Sequence, residues 1–399
     1  MKILILSSKV PFPPKDGGAI ATLGLANGLS GNGNDITMLC LNTSKHFLPN
    51  EELPEHLTSK MRIITVYHNT EIQVTKALFN LLFSGEPYNG IRFISPLFVS
   101  GLIRLLSNEK FDVVQIEGPY MGYYIPTIRK YSNARIALRA HNVEYEIWSR
   151  KSQNESNPFR ARYLKILSNR IKNHEARILK TIDLLVPISE RDQKLLLKLN
   201  PSLRSVVIPA GVDEENYPLP EDPEYPSLFF IGSLDWMPNQ EGLEWFIDNV
   251  WPEVQKDTRI RFHVGGRNAP PWLEKKLIAN NIDFHGEVDN AYEFMNHYAI
   301  MVSPVFSGSG IRIKILEAMM MGKAVISTRI GSEGISYTHG ENIMLADDPS
   351  TFARFIIDYS SNRKKYDKIA ASGRIFVMES FNNLAFCKTL EDFYRNNLK

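Results

Sequence analysis

Short apolar runs, each followed by a turn and a stretch with helical periodicity, organise the chain from end to end. KILILS at 2–7 predicts a strand, GGAIATLGLANGL at 17–29 a helix, and DITMLCL at 35–41 a second strand. FDVVQIE at 111–117, ARIALRA at 134–140, DLLVPIS at 183–189 and SVVIPA at 205–210 read as further strands. Brief apolar runs alternating with helical segments predict a parallel sheet covered on both faces. The fold class expected is α/β.

The rhythm breaks at AGVDEENYPLPEDPEYPS, residues 210–227. This stretch is rich in proline and acids, has no apolar period, and reads as a linker between a first domain, 1–209, and a second. The pattern then restarts. LFFIGSL, RIRFHVGG, IDFHGEV, AIMVSPV and KAVIST predict strands, and QEGLEWFIDNVWPEV predicts a helix. NLAFCKTLEDFYRNNL predicts a terminal helix. Two doubly wound domains imply a cleft at the carboxyl ends of their strands, where open α/β sheets take their ligands.

One segment poses a problem of charge. In SPVFSGSGIRIKILEAMMMGKAVIST, residues 303–328, a Gly-Ser-Gly turn opens an expected helix that is apolar on nearly every side, yet holds Arg312, Lys314 and Glu317. With about 100° per residue, Gly310, Lys314 and Glu317 share one face. Charges in a buried helix need partners. Lys314 and Glu317 are three apart and can pair with each other. The alternative partner is a ligand. A glycine turn before a helix offers backbone N–H groups and a favourable dipole to an anion, and Lys314 reaches the same point. Glu317 then lies roughly 5–10 Å further along by helix rise, where a carboxylate could accept two ribose hydroxyls. The Gly-Ser-Gly turn, Lys314 and Glu317 are therefore candidates for a nucleoside diphosphate.

Two features in the first half fit a ligand cleft. Gly17-Gly18 follow the first strand and open the first helix, but lack the G-x-G-x-x-G spacing of a dinucleotide site. Beside them, Asp16 is expected to be exposed and to touch a polyhydroxylated acceptor. His141, with Asn142 and Glu144 nearby, closes a strand and should face the cleft. A plain turn and a core histidine are the competing explanations.

Composition narrows the class. At 399 residues, with 43% hydrophobic and 23% charged residues, the chain suits two globular domains. Cys40 and Cys387 form no disulfide framework, and the histidines show no metal spacing. The first apolar run reads as a strand, since no small-residue cleavage site follows it. No run reaches the length of about 18 apolar residues expected of a membrane span. The net charge of +2 divides into +10 for residues 1–210 and −8 for the remainder. Nine basic and two acidic residues fall within 149–180, which fits an anionic surface as well as a solvated helix face.

Taken in order, Gly17-Gly18, RAHNVE, VPISERD, VIPAGVD, IGSLDWMPNQEGL, HVGGR, FHGEVDN and GSGIRIKILEAMMMGKAVIST resemble a family 4 (group 1) glycosyltransferase of the retaining GT-B type, over nearly the whole chain. The resemblance implies two Rossmann-like domains facing each other across a cleft. The first, 1–209, would take the acceptor and the second, 228–379, the nucleotide-sugar. The terminal segment 380–399 would return to the first domain. By position, Glu317 would hold the ribose, and Arg312 and Lys314 the pyrophosphate, assisted by backbone N–H groups of Ser309, Gly310 and Ile311. Gly18 would approach the donor, His141 would meet the donor sugar near its reacting carbon, Gly265, Gly266 and Arg267 would line the nucleotide pocket, and Val288 would meet the base.

Two positions depart from the family. Ser309 stands where a donor-sugar carboxylate is frequent, and GSLDWMPNQEG lacks the usual basic pair. The mechanism implied is electrostatic. Arg312, Lys314 and helix N-termini would stabilise the departing diphosphate. The acceptor hydroxyl would attack on the side from which the diphosphate leaves. With no Asp-x-Asp motif, no metal is expected, and no cofactor beyond a UDP- or GDP-sugar substrate. The expected role is polysaccharide or glycolipid synthesis in the cytoplasm, on a sugar or lipid-linked acceptor. The basic stretch and the apolar segment VTKALFNLLFSGEPYNGIRFISPLFVSGLIRLL fit peripheral attachment to an anionic membrane surface, and core helices explain the apolar segment as well. No nucleic-acid partner is expected. The competing functions are a non-catalytic sugar-nucleotide-binding subunit and a UDP-sugar epimerase.

Overall fold

The computed structural model describes every residue except Lys15, 220–222, Thr258, Ser309 and Lys399. The chain divides into two compact units, Met1–Ala210 with Asn383–Lys399, and Gly211–Asn382.

The first unit is built on a seven-stranded parallel sheet: β1 Lys2–Ser7, β2 Asp35–Thr43, β3 Arg62–His68, β4 Val113–Glu117, β5 Arg135–Ala140, β6 Leu184–Pro187 and β7 Arg204–Ser205, in the order β3-β2-β1-β4-β5-β6-β7. Strand order reverses between β1 and β4, which pair in register from Ile3↔Val113 to Leu6↔Ile116. Both sheet faces are buried: Leu4, Leu6, Leu39, Val114 and Ile116 fill one side, and Ile3, Ile5, Met38, Cys40 and Val113 the other. This two-sided burial explains the near-continuous apolar runs.

β3 escaped the sequence reading because its side chains are only half-buried. The segment 205–210, expected as a strand, gives only the two-residue β7. Past it, the amides of Val206 and Ile208 still bond to Leu185 and Pro187 oxygens. The terminal helix, Asn383–Arg395, packs against the first helix, Gly17–Gly31. Asn383 donates to the Gly24 carbonyl at 3.0 Å. The approach is so close that a Cβ on Gly28 would lie 2.3 Å from Cys387 Sγ.

The second unit carries a six-stranded parallel sheet: β8 Glu224–Ile231, β9 Arg261–Gly265, β10 Asp283–Gly286, β11 Tyr298–Ser303, β12 Ala324–Ser327 and β13 Met344–Leu345, in the order β10-β9-β8-β11-β12-β13. Its order reverses between β8 and β11. The acid- and proline-rich stretch expected as a linker is partly regular. It holds a 3₁₀ turn at Glu214–Asn216 and the start of β8 at Glu224, where the Arg363 guanidinium lies 4.8 Å from the Tyr225 ring centre. The single helix expected over 240–254 begins earlier, at Met237, and breaks into Met237–Asn249 and Trp251–Val254. Pro252 cannot continue the first helix and opens the second.

Candidate active site

In the second unit the candidate residues gather where strand order reverses. β11 ends at Ser303, and the loop to the next helix contains Gly308 at φ 97° and Gly310 at φ 85°. These left-handed conformations favour glycine and delay the helix. It runs Ile313–Met320, with Arg312 as N-cap, so the expected start at Gly310 is corrected. Ser309 lies outside the described residues. The helix is buried on all sides except at Lys314.

The charge problem has an internal answer. Lys314 Nζ lies 2.6 Å from one oxygen of Glu317, and the Tyr217 hydroxyl donates to the other at 2.6 Å. Glu317 is only 3% exposed. Burial, and then the Glu317 charge, push the Tyr217 phenol well above its ordinary pKa, so the phenol keeps its proton for Glu317. Arg374 fixes the Tyr217 segment, donating to the Tyr217 carbonyl at 3.1 Å and to Glu214 at 2.9 Å.

Arg312 does not join that pair. Its guanidinium lies 5.3 Å from the Trp236 ring centre and bonds back to the Ser307 carbonyl at 3.2 Å and to the Gly310 carbonyl. Trp236 belongs to the turn after β8, where its amide bonds to the Ser233 carbonyl. Ser233 Oγ in turn accepts from Arg267 Nε at 3.3 Å. The turn after β8 therefore bridges Arg267 to Arg312, two cations drawn from loops 45 residues apart in sequence.

The glycines of HVGGR have packing reasons. A Cβ on Gly265 would meet the Phe294 ring at 3.1 Å, and one on Gly266 would lie 2.1 Å from the Gly232 carbonyl oxygen. Val288 follows two residues beyond β10 and is half-buried. Gly265, Gly266, Arg267, Val288, Gly310, Ile311, Arg312, Lys314 and Glu317 thus all sit at or beyond strand ends of one sheet.

Gly17, Gly18, Asp16 and His141 belong to the first unit, again at its reversal of strand order. Asp16 is half-buried, not exposed as expected. It is the N-cap of the first helix, accepting from the Ala19 amide at 3.0 Å and pairing with Lys9. Partial burial would raise its pKa, but the Lys9 charge and these hydrogen bonds outweigh that and hold it low. Gly18 has room for a side chain, since its Cβ would meet Asp16 Oδ1 at an ordinary 3.4 Å.

His141 sits just past β5. Its Nε2 lies 2.6 Å from the Glu117 carboxylate at the end of β4. Thr22 Oγ1 donates to the same carboxylate oxygen at 3.0 Å, and Gln115 Nε2 to the other. Gln115 Oε1 accepts from the Tyr394 hydroxyl of the terminal helix at 2.6 Å. Burial would raise the Glu117 pKa, but the His141 and Gln115 hydrogen bonds, with the Arg139 charge nearby, outweigh it and hold the carboxyl low. Glu117, Gln115, Thr22, Tyr394 and Tyr217 were missed in the sequence. Two polar residues alternating inside the buried run VVQIE were the available signal. Among the described residues no group of three or more His, Cys, Asp or Glu could hold a metal.

Known proteins match along the whole chain. The Glycosyltransferase Family 4 model matches residues 15–216, and the glycosyl transferases group 1 model matches residues 225–362. An uncharacterised 44.6 kDa protein of the cps region of Klebsiella pneumoniae is 28% identical, covering 96% of this chain and 97% of its own. Among solved structures, the sucrose-phosphate synthase of Thermosynechococcus elongatus is 17% identical with a TM-score of 0.74, covering 99% of each chain. Anabaena HepE, solved with UDP and glucose, is 13% identical with a TM-score of 0.71, covering 99% of this chain and 100% of its own. The chain belongs to the family 4, group 1 glycosyltransferases and is an enzyme of the GT-B fold.

Proposed function

We propose that the protein is a retaining glycosyltransferase that moves a sugar from a nucleoside diphosphate to a hydroxyl of a sugar or lipid-linked acceptor, in the synthesis of a cell-surface polysaccharide or glycolipid. The observation that carries this reading is the segment 307–317. It places two cations and a buried carboxylate in sequence after a glycine-rich turn. The relative in a cps region is taken as support for the polysaccharide assignment. HepE, solved with UDP and with UDP-glucose, supports a uridine nucleotide as the first donor to try.

In this reading the diphosphate lies against the loop at Gly310 and Ile311, with Arg312 and Lys314 offsetting the charge that develops as it leaves. No metal is required for that step. Glu317 receives the ribose hydroxyls, Gly265, Gly266, Arg267 and Val288 frame the nucleoside, and Gly17, Gly18 and His141 meet the donor sugar. Asp16 shapes the acceptor side by capping the first helix. The acceptor hydroxyl attacks the face from which the diphosphate departs, and a departing phosphate oxygen takes its proton.

The enzyme is proposed to work at the cytoplasmic face of a membrane with anionic lipid. The helix Val74–Phe83 supports this. Its Val74, Leu78, Phe79, Leu82 and Phe83 are all more than half exposed, while buried Asn80 ties it to Arg170 of the basic helix Pro158–Leu179. Exposed apolar side chains on a helix tied to one that bears exposed Arg160, Arg162, Lys165 and Lys172 suit an interface of acyl chains and anionic head groups. No helix among the described residues is long and apolar enough to cross a membrane.

Calorimetric titration of UDP and GDP into the wild type and Glu317→Ala tests the donor site. An affinity loss of about tenfold or more, equivalent to about 1.4 kcal/mol, is expected. Unchanged affinity in a folded variant would remove the ribose role.

A further inference from the structure

The hydrogen bonds around Glu117 have a fixed direction, and that direction reaches His141 from the terminal helix. Tyr394, Gln115 and Glu117 are 0%, 0% and 6% exposed, so each polar atom must find its partner inside the protein. The Tyr394 hydroxyl donates to Gln115 Oε1. That contact fixes which end of the Gln115 amide faces which way, and leaves its NH₂ group to donate to Glu117. An ionised carboxylate only accepts. The ring nitrogen facing it, His141 Nε2, must therefore carry a proton.

We propose that Glu117 is a positioning residue that holds the neutral His141 ring as its Nε2–H tautomer. Nδ1 is then the lone-pair acceptor on the opposite side of the ring. Tyr394 and Gln115 set the direction of this chain of hydrogen bonds from the terminal helix. A ligand hydroxyl meeting the neutral ring at Nδ1 would donate to it and not accept. That consequence rests on the proposed role of His141 at the donor sugar; the tautomer itself does not.

The test follows from the chain's direction. Glu117→Gln is isosteric and introduces one amide group. With Tyr394 still donating to Gln115 Oε1, the new carbonyl oxygen faces the Gln115 NH₂ group, which turns the new NH₂ toward His141 Nε2 and toward Thr22 Oγ1, whose hydroxyl turns from donor to acceptor. The imidazole then has to shift its proton to Nδ1. Adding Tyr394→Phe frees the Gln115 amide to turn over, which lets the new carbonyl face His141 again.

Proton–nitrogen correlation spectra of ¹⁵N-histidine-labelled protein, at a pH where the His141 ring is neutral, read the tautomer directly. The His141 signals are assigned by their loss in His141→Gln. The expected result is Nε2–H in the wild type, Nδ1–H in Glu117→Gln, and return of Nε2–H in Glu117→Gln/Tyr394→Phe. A wild-type ring in the Nδ1–H form, or a folded Glu117→Gln that keeps Nε2–H, would overturn the proposal. With a sugar nucleotide that the wild type turns over, kcat should fall about tenfold or more in Glu117→Gln at little-changed KM, and recover in part in the double variant. If no sugar nucleotide is turned over by the wild type, the functional reading fails while the spectra still decide the tautomer.

Discussion

The Tyr217 hydroxyl lies 2.6 Å from Glu317 Oε1, joining residues 100 apart in sequence, while Lys314 holds the other carboxylate oxygen at the same distance. Of the oxygens proposed to receive a ribose, one is therefore hydrogen-bonded by Tyr217 and the other is ion-paired to Lys314. Tyr217→Phe leaves one of them without its donor in a buried site, and a loss of about 1–3 kcal/mol in stability is expected from denaturant unfolding. A ribose hydroxyl can replace the missing donor. Saturating UDP should therefore raise the melting temperature more in Tyr217→Phe than in the wild type. Equal shifts would separate Tyr217 from the nucleotide site.

Glycines 18 and 28 lie on the same helix and should respond in opposite ways. The space at Gly18 admits a methyl group at 3.4 Å from its nearest neighbour, whereas a methyl at Gly28 would collide with Cys387 at 2.3 Å. Gly18→Ala should keep or slightly raise the melting temperature, since alanine favours the helix by about 0.5–1 kcal/mol. If the donor approaches this backbone, the variant should lose about tenfold or more in kcat/KM. Gly28→Ala should instead cost about 1–3 kcal/mol of stability through overpacking. A fully active Gly18→Ala would place the donor elsewhere.

Glu175 caps the helix Glu144–Asn154, accepting from the Glu144 and Tyr145 amides at 3.0 Å each. Burial nevertheless pushes its carboxyl pKa up to about 8. The folded state therefore binds a proton more tightly than the unfolded chain, whose glutamates titrate near about 4.3. The associated stability is present in full below that lower value and is lost as pH rises through about 8. Glu175→Gln, which stays neutral, should remove this part of the decline. Melting curves between about pH 4.5 and about pH 8 (the window between the two pKa values) should show a flatter profile for the variant than for the wild type. Parallel profiles would mean that Glu175 is already ionised in the fold.

The exposed helix Val74–Phe83 provides a test of the membrane reading. Wild-type protein should sediment with vesicles containing phosphatidylglycerol, less so at high salt, and poorly with neutral vesicles. Leu78→Ser/Phe79→Ser/Leu82→Ser should abolish that binding without loss of fold, because these side chains are more than half exposed. Equal sedimentation of variant and wild type would assign the helix to another role.

The period of the apolar residues made most of both sheets legible, because parallel strands buried on two faces leave an unmistakable run. It did not reveal β3, whose faces are only half-covered, or the late start of the helix at Ile313, which the left-handed Gly308 and Gly310 impose. Lys314 and Glu317 were recognisable as a pair from their spacing alone. Tyr217 and Tyr394 were not, since each reaches its partner across long stretches of chain that only the fold brings together. Asp16 was legible as a polar residue ahead of a helix. Its commitment to Lys9 and the Ala19 amide is a property of the folded turn.

The central claim is transfer from a nucleoside diphosphate sugar, and release of the free nucleotide measures it most directly. A panel of UDP- and GDP-sugars should be incubated with wild-type protein and a lipid extract as acceptor source, with Arg312→Ala/Lys314→Ala in parallel. The account predicts UDP or GDP release above background from at least one donor, reduced about a hundredfold or more in the double variant, as for loss of donors to a developing charge. Saturable binding of the same donors without release of nucleotide from any of them would contradict it.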